Sequence, residues 1–241
     1  VNPRMEFRGV VLCVLLSPLG VLSAGIRSTE SSVSVSLKPS SPQILYTGRF
    51  DHSSPDAPTF SWSSTQISVT FTGSALSGTF TAPSDGARFL IEVDGTQTQI
   101  IKLASGASST AYSLASGLSS TKEHTLSIRK ITEDNQQRNK KGQATFHGFS
   151  LPAGGLFGSA PSRPSRRLEF VGDSDTAGWC ADGSSRTGDA PDKYEDSHQT
   201  WAQKIADSLG AEMMVEAISG YGVTSASTPI QPYAVRINPF D

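Results

Sequence analysis

A long series of short segments with alternating apolar and polar residues constrains the fold of this chain most strongly. The segments lie within residues 44–151, where no stretch has the 3.6-residue period of a helix. A period of two is typical of antiparallel strands that bury one face, and Asp94-Gly95 is a hairpin signal between two of them. The segments are ILYTGRF, TFSW, ISVTFTG, LSGTFTA, RFLIEVDG, TQIIKL, HTLSIRKI and ATFHGFSL. The pattern predicts an all-β domain, a jelly roll or β-sandwich, over residues 44–151, with the polar run Glu133 to Lys141 as a solvated loop.

The composition changes after this region. Residues 152–165 are rich in Gly, Pro and Ser and are predicted to form a linker. A strand is predicted over 167–171 and another over Met213 to Ile218. Between them we predict a helix that begins after Ser197 or Thr200 and ends at Gly210. Its apolar face carries Trp201, Ile205 and Leu209. This order predicts the start of an α/β domain with a parallel sheet over residues 166–241. Because the 77 residues from Ser165 to Asp241 are fewer than the roughly 100–150 of an ordinary domain, we expect a partial domain whose two strands are buried and central.

The N-terminal residues have the layout of a secretory signal peptide. A basic residue precedes an apolar run from Val10 to Leu22, which ends at the small residues Ser23-Ala24. We therefore predict a signal peptide over residues 1–24, a Ser-rich leader over 25–43, and a secreted, extracellular protein that is not held in a membrane after cleavage.

Charge and cysteine content narrow the possible partners. Cleavage after residue 24 would take two of the 20 basic and one of the 22 acidic residues, leaving 18 and 21 and a formal net charge of −3. Such a balance does not suit a surface that binds phosphates, so we exclude nucleic acid as a partner. Cys13 would leave with the signal peptide, so Cys180 would have no cysteine in the same chain to pair with.

The turn after the first strand of the second part carries the strongest candidate for chemistry. It reads FVGDSDT over residues 170–176, where Gly172 permits a sharp turn before Ser174. A serine at the carboxyl end of a central parallel strand points into the crevice where α/β sheets bind ligands. Ser174 is therefore a candidate nucleophile. Gly, Asp and Ser are also common turn residues, so an ordinary turn is the alternative interpretation.

Four stretches, in order along the chain, resemble blocks of a known enzyme family. They are YTGRFD at 46–51 with FSWS at 60–63, ATFHGFSL at 144–151, RRLEFVGDSDTAG at 166–178 and LGAEMMVEAISGYGV at 209–223. The second half resembles the SGNH (GDSL-like) hydrolases, and its pairing with an N-terminal jelly roll resembles carbohydrate esterase family 2. The resemblance implies an acetyl esterase that acts on plant-type polysaccharides.

The same resemblance assigns roles to individual residues. It implies that Ser174 is the nucleophile and that its own N–H is one oxyanion donor. It implies Gly220 as the second donor, with Gly222 of the same turn as the rival. Asp175 stands where the family commonly has an apolar residue. The family's G-x-N-D turn and its D-x-x-H block, which holds the general base, do not occur in this sequence, so we expect the chain to stop before them.

The histidines have competing interpretations. His198 lies nearest to Ser174 in sequence and could act as a base, but a polar residue near a helix start is the favoured interpretation. The other three lie in the predicted sandwich and are interpreted as structural or surface residues: His52, His124 and His147.

The remaining candidates are an acidic loop and two aromatic residues. The acidic side chains lie between Ala181 and Ser197, without the ligand spacing of a calcium loop, so a solvated loop is predicted. Trp179 and Tyr221 flank the two turns and could stack on a sugar or pack in the core.

The resemblance, together with the predicted signal peptide, implies a secreted, monomeric serine esterase that removes acetyl groups from polysaccharides such as xylan or glucomannan. We expect an oligosaccharide or polysaccharide substrate, no cofactor and no metal ion. The alternative is a non-catalytic carbohydrate-binding protein or an inactive fragment, since jelly rolls are also a common lectin scaffold.

Overall fold

Eleven antiparallel strands form two sheets in the computed structural model, which describes residues 33–84, 86–133, 143–183 and 194–220. The first sheet contains β1 (Val35–Leu37), β3 (Thr59–Phe60), β5 (Leu76–Thr81), β8 (Thr110–Ala115) and β10 (Ala144–Leu151). The second contains β2 (Ile44–Thr47), β4 (Gln66–Thr72), β6 (Ala87–Val93), β7 (Thr96–Leu103), β9 (Glu123–Lys130) and β11 (Leu156–Phe157). The strand orders are β1-β10-β5-β8, with β3 also on β10, and β11-β4-β9-β6-β7, with β2 also on β4. This arrangement confirms the predicted β-sandwich and matches a jelly roll.

The core lies between the two sheets because the alternating strands turn their apolar side chains inward. Phe80 of β5 packs on Phe146 of β10 at a ring-centroid distance of 5.3 Å and on Phe89 of β6 at 5.6 Å. All three side chains are buried, so they join the sheets through one aromatic cluster.

The sequence analysis did not predict three of the strands, β1, β8 and β11. In β8 only Leu114 and Ala115 are buried, because this strand lies at a sheet edge and leaves its other four residues exposed or half-buried. The short β1 and β11 lie outside the predicted range of 44–151, yet they pair with β10 and β4. The predicted boundaries between leader, sandwich and linker stay a prediction.

The remaining described residues form a strand–helix–strand unit. Its elements are β12 (Arg166–Gly172), α1 (Ser174–Ala177), a 3₁₀ turn (Ser197–Gln199), α2 (Trp201–Leu209) and β13 (Ala211–Ala217). β12 and β13 are parallel and stay in register from Arg166–Ala211 to Gly172–Ala217. Thr200 precedes α2 and Gly210 ends it in the left-handed conformation, as predicted. A complete second α/β domain is not evident within the residues that the structure describes.

The apolar face predicted for α2 is not the buried one. Trp201, Ile205 and Leu209 are 47%, 40% and 44% exposed, while Ala202 and Ala206 are fully buried. The helix approaches β13 closely through its small residues, and the half-exposed Trp201 ring contacts the Phe170 ring of β12 at a centroid distance of 5.4 Å. The prediction that both strands are buried and central is also wrong for β12, whose residues are half-buried or exposed.

The predicted signal peptide falls outside the described residues. Within those residues, no helix has both the length and the apolar composition needed to cross a bilayer.

Candidate active site

Ser174 is the first residue of α1, in a turn that follows β12 directly. Asp173 precedes the helix, and its carboxylate accepts a hydrogen bond from the Asp175 N–H at 3.3 Å. The Ser174 carbonyl accepts hydrogen bonds from the N–H groups of Gly178 and Trp179 at 3.0 and 2.9 Å. Ser174 is half-buried and Asp175 is exposed, so the change from an apolar residue to Asp175 places no carboxylate in the interior.

Two glycines make this turn possible. A Cβ atom at Gly172 would overlap the Thr176 side chain, which folds back over the end of the strand. Gly178 has φ +95°, and a Cβ there would overlap the backbone of Asp196. Both positions therefore require glycine, and Gly178 lets the segment around Asp196 lie directly against the turn.

That segment also contacts the sandwich. The Asp196 N–H donates to the Gly178 carbonyl at 2.9 Å, and the Ser197 N–H donates to the Ile131 carbonyl at 3.0 Å. Arg88 of β6 donates to the Glu195 carbonyl at 2.9 Å and to the Asp182 carboxylate at 2.7 Å. Residues of the sandwich thus help to hold the segment that lies against the Ser174 turn.

Gly220 lies in the turn after β13, on the same sheet edge as the Ser174 turn. The edge is shared because β12 and β13 are parallel and in register to their ends. A hydrogen bond of 3.3 Å from the Ile218 N–H to the Gly172 carbonyl ties the ends of the two strands together. Gly220 is exposed, with φ +81°. Its approach to Ser174 as an oxyanion donor stays a prediction, and the rival Gly222 and the aromatic Tyr221 lie outside the described residues.

A carboxylate of the sandwich holds the start of the Gly220 turn. Glu133 Oε2 accepts a hydrogen bond from the Ser219 N–H at 2.7 Å. Glu133 is buried, so its assignment to a solvated loop is wrong at this residue. The other residues of that predicted loop, 134–141, are not among those described.

His198 faces a cation instead of Ser174. Its Nδ1 atom lies 3.4 Å from Nη1 of Arg129, and an Arg N–H can only donate. Nδ1 is therefore the acceptor in this contact. Burial lowers the pKa of Arg129, and the carboxylates of Glu92, Asp207 and Asp196 oppose that shift. In the described part of the chain no hydrogen bond joins His198 to Ser174.

The three other histidines lie in the sandwich, as predicted. His124 contacts the Asp94 carboxylate at 2.9 Å and the Ser119 carbonyl at 3.0 Å. His147 contacts the Thr81 hydroxyl at 2.8 Å, and His52 stacks edge-on against an aromatic ring.

The acidic loop shows no metal-binding geometry where it is described. Asp182 accepts from Arg88, and Asp196 accepts from the His198 N–H at 2.9 Å. Among residues 33–84, 86–133, 143–183 and 194–220, no three His, Cys, Asp or Glu side chains cluster closely enough to hold a metal ion. Trp179 beside the Ser174 turn is exposed, and Cys180 is a half-buried free thiol.

Two buried glutamates of β13 pair with arginines outside the strand–helix–strand unit, and the sequence analysis missed both pairs. Glu216 pairs with Arg49, and Glu212 pairs with Arg163, which also donates to the Tyr46 carbonyl at 2.6 Å. The available signal was Glu216 inside the predicted strand and Glu212 directly before it, because residues four apart on a strand share one face and a buried carboxylate requires a partner.

Comparisons with known proteins agree on one family. Residues 46–161 match the family described as Carbohydrate esterase 2 N-terminal. The chain is 33% identical over 183 residues to the cellulase/esterase CelE of Acetivibrio thermocellus, a match that covers 76% of this chain and 21% of that protein.

Solved structures give the same result. A family two carbohydrate esterase from Clostridium thermocellum in complex with cellohexaose is 32% identical, with a TM-score of 0.68, and the match covers 76% of this chain and 53% of that one. An acetyl xylan esterase from the rumen bacterium Butyrivibrio proteoclasticus shares the fold, with a TM-score of 0.72 at 24% identity over 81% of this chain and 52% of that one. The chain therefore spans about half the length of these solved relatives.

Proposed function

Because the chain belongs to carbohydrate esterase family 2, we propose that it forms part of a secreted serine esterase that removes acetyl groups from plant-type polysaccharides. Ser174 is the proposed nucleophile. The observation that carries this proposal is the shared sheet edge, where the turns with Ser174 and Gly220 follow two parallel strands in register. A nucleophile and an oxyanion donor must meet at one carbonyl group, and neighbouring strand ends can bring them together.

The chemistry is that of acyl transfer through serine. The Ser174 hydroxyl attacks the ester carbonyl, the sugar alcohol leaves, and water hydrolyses the acyl-enzyme. The N–H groups of Ser174 and Gly220 would stabilise the charge on the carbonyl oxygen, and one such donor is worth about 3–4 kcal/mol. A serine also needs a base to take its proton. We assign that role to no residue of this chain, because D-x-x-H does not occur in its sequence and the Nδ1 of His198 faces Arg129.

Carbohydrate is the substrate class that best suits this assignment. One similar enzyme was solved in complex with cellohexaose, and another is an acetyl xylan esterase. In this chain the exposed ring of Trp179 lies one residue beyond Gly178, where a sugar ring could stack on it. Xylan and glucomannan are therefore the proposed substrates, and a monomer without metal is the proposed working form.

Acetate release by the protein as its source secretes it provides the test. With acetylated xylan oligosaccharides, we expect Ser174→Ala to lower kcat by more than about 10³-fold, as loss of a triad nucleophile does. Ser208→Ala is the matched control, because this serine is exposed on α2 and bonds only its own helix. EDTA should leave the rate unchanged. Full turnover by Ser174→Ala would contradict the proposal, and sugar binding without acetate release would favour a carbohydrate-binding protein.

A further inference from the structure

Three ionisable side chains are buried where the end of β9 contacts the segment around Glu195. Lys130, Glu133 and Glu195 are 1%, 5% and 0% exposed. Buried charges are costly unless they are paired and hydrogen-bonded. These three side chains form hydrogen bonds with main-chain groups, and those bonds identify the segments that the charges hold in place.

The bonds lead from the sandwich to the Gly220 turn. Lys130 Nζ donates to the carbonyls of Thr132 and Glu133, the latter at 3.1 Å. The Glu133 N–H donates to the Glu195 carboxylate at 2.5 Å. Both the N–H and the carbonyl of Glu133 are therefore hydrogen-bonded. Its carboxylate accepts a hydrogen bond from the Ser219 N–H at 2.7 Å.

This last contact fixes the residue immediately before Gly220. A bond from an N–H to a carboxylate is charge-assisted and stronger than one between neutral groups. The bond between the Ile218 N–H and the Gly172 carbonyl is longer, at 3.3 Å. Gly220 follows Ser219 directly and has φ +81°, so an anchor on the Ser219 N–H limits the orientations that the next peptide N–H can take.

We infer that Glu133 is a positioning residue of the esterase site, a sandwich carboxylate that holds the Gly220 turn in the orientation needed for an oxyanion donor. The inference rests on the proposed function. Oxyanion donors act because they are fixed before the charge develops, and a displacement of about 1 Å can cost about 10²-fold in rate. The sandwich thereby becomes part of the catalytic apparatus, in addition to any contact it makes with carbohydrate.

The test compares Glu133→Gln and Glu133→Ala with Glu212→Gln. Gln keeps the shape and one acceptor oxygen but loses the charge, whereas Ala removes the contact. Glu212 is the matched control, since it is a buried acid that pairs with Arg163 at the opposite end of β13 from the Gly220 turn. All three variants lose a buried carboxylate, but only the first two change the anchor of Ser219.

Two readouts separate positioning from stability. In the full secreted protein, hydrogen exchange should show the Ser219 amide exchanging at least about tenfold faster in Glu133→Ala, less so in Glu133→Gln, and unchanged in Glu212→Gln. In the secreted enzyme, kcat should fall by about 10–100-fold in Glu133→Gln at nearly constant KM, and further in Glu133→Ala. Glu212→Gln should keep its kcat even where it lowers the unfolding midpoint.

The outcomes are distinguishable. If Ser174→Ala abolishes acetate release while Glu133→Gln keeps the wild-type kcat, the inference fails and the proposed function stands. An equal loss of kcat in Glu133→Gln and Glu212→Gln would likewise overturn it, because the effect would then be general destabilisation. If Ser174→Ala remains active, the proposed function fails and the inference fails with it.

Discussion

Replacing Gly178 with alanine tests how the Ser174 turn is held, and Gly210 provides the matched control. Both glycines end a helix in the left-handed region, Gly178 at φ +95° and Gly210 at φ +56°. Alanine in that region costs about 1–2 kcal/mol. A Cβ at Gly210 meets nothing within 4 Å, whereas a Cβ at Gly178 would lie 2.5 Å from the Ser197 nitrogen.

The overlap at Gly178 determines how much more stability is lost in Gly178→Ala than in Gly210→Ala. It involves backbone atoms, which cannot rotate away as a side chain can, and overpacking of this kind costs about 1–3 kcal/mol. We therefore expect Gly178→Ala to lower the free energy of unfolding by about 2–5 kcal/mol and Gly210→Ala by about 1–2 kcal/mol. The excess should appear as displacement of the segment around Asp196, whose N–H bonds the Gly178 carbonyl.

Urea unfolding of residues 25–241, followed by tryptophan fluorescence at 25 °C, measures the two free energies. Hydrogen exchange of the Asp196 amide reports the local contact, and it should accelerate in Gly178→Ala but not in Gly210→Ala. Equal losses of stability in the two variants, or an Asp196 amide that stays protected in Gly178→Ala, would refute the reasoning. Either result would mean that the close approach of Gly178 to the Asp196 backbone does not contribute to stability.

Three further predictions concern stability and activity. Phe80→Ala should cost about 3–5 kcal/mol in urea unfolding because it empties the centre of the aromatic core, whereas Leu156→Ala, on an exposed residue, should cost under about 0.5 kcal/mol. The pKa of Asp94 is lowered by hydrogen bonds from Lys122, the Thr125 N–H and His124, so its charged form stabilises the fold. This contribution is full above the unfolded pKa of about 4 and is lost as the pH falls below it. The difference in the free energy of unfolding between wild type and Asp94→Asn should therefore shrink below about pH 4, and a difference that widens in that range would contradict this. Residues 25–241 alone should release little or no acetate from a chromogenic acetyl ester, because the sequence holds no D-x-x-H base, and robust turnover abolished by His198→Ala would make His198 the base.

The sandwich was predictable because most of its strands are half-buried, and half-burial leaves a period of two in the sequence. β8 has too few buried positions to leave that pattern, and β1 and β11 are too short. For α2 the sequence revealed both ends, but the spacing of Trp201, Ile205 and Leu209 could not reveal that the helix packs through Ala202 and Ala206. The helical period of apolar residues identifies side chains that share one face of the helix, but it does not show which face packs against the rest of the fold.

The candidate site was predictable only where its residues are neighbours in sequence. Gly172 and Ser174 form one short turn, so a local motif reveals them. Glu133 bonds Ser219 across 86 positions, and it begins a polar run that resembles a solvated loop. Arg88 is an ordinary strand residue in sequence, and its role appears only when β6 reaches the segment around Glu195.

The paired charges on β13 bear on how such proteins can recombine during evolution. Glu212 and Glu216 share one face of the strand, and their arginines come from residues 49 and 163, both outside the strand–helix–strand unit. Arg49 belongs to the sandwich, so joining this unit to an unrelated sandwich would leave the buried Glu216 without its cation, at a cost of several kcal/mol. Exchange of either half alone is therefore penalised, and the two halves should be inherited as a single block of sequence.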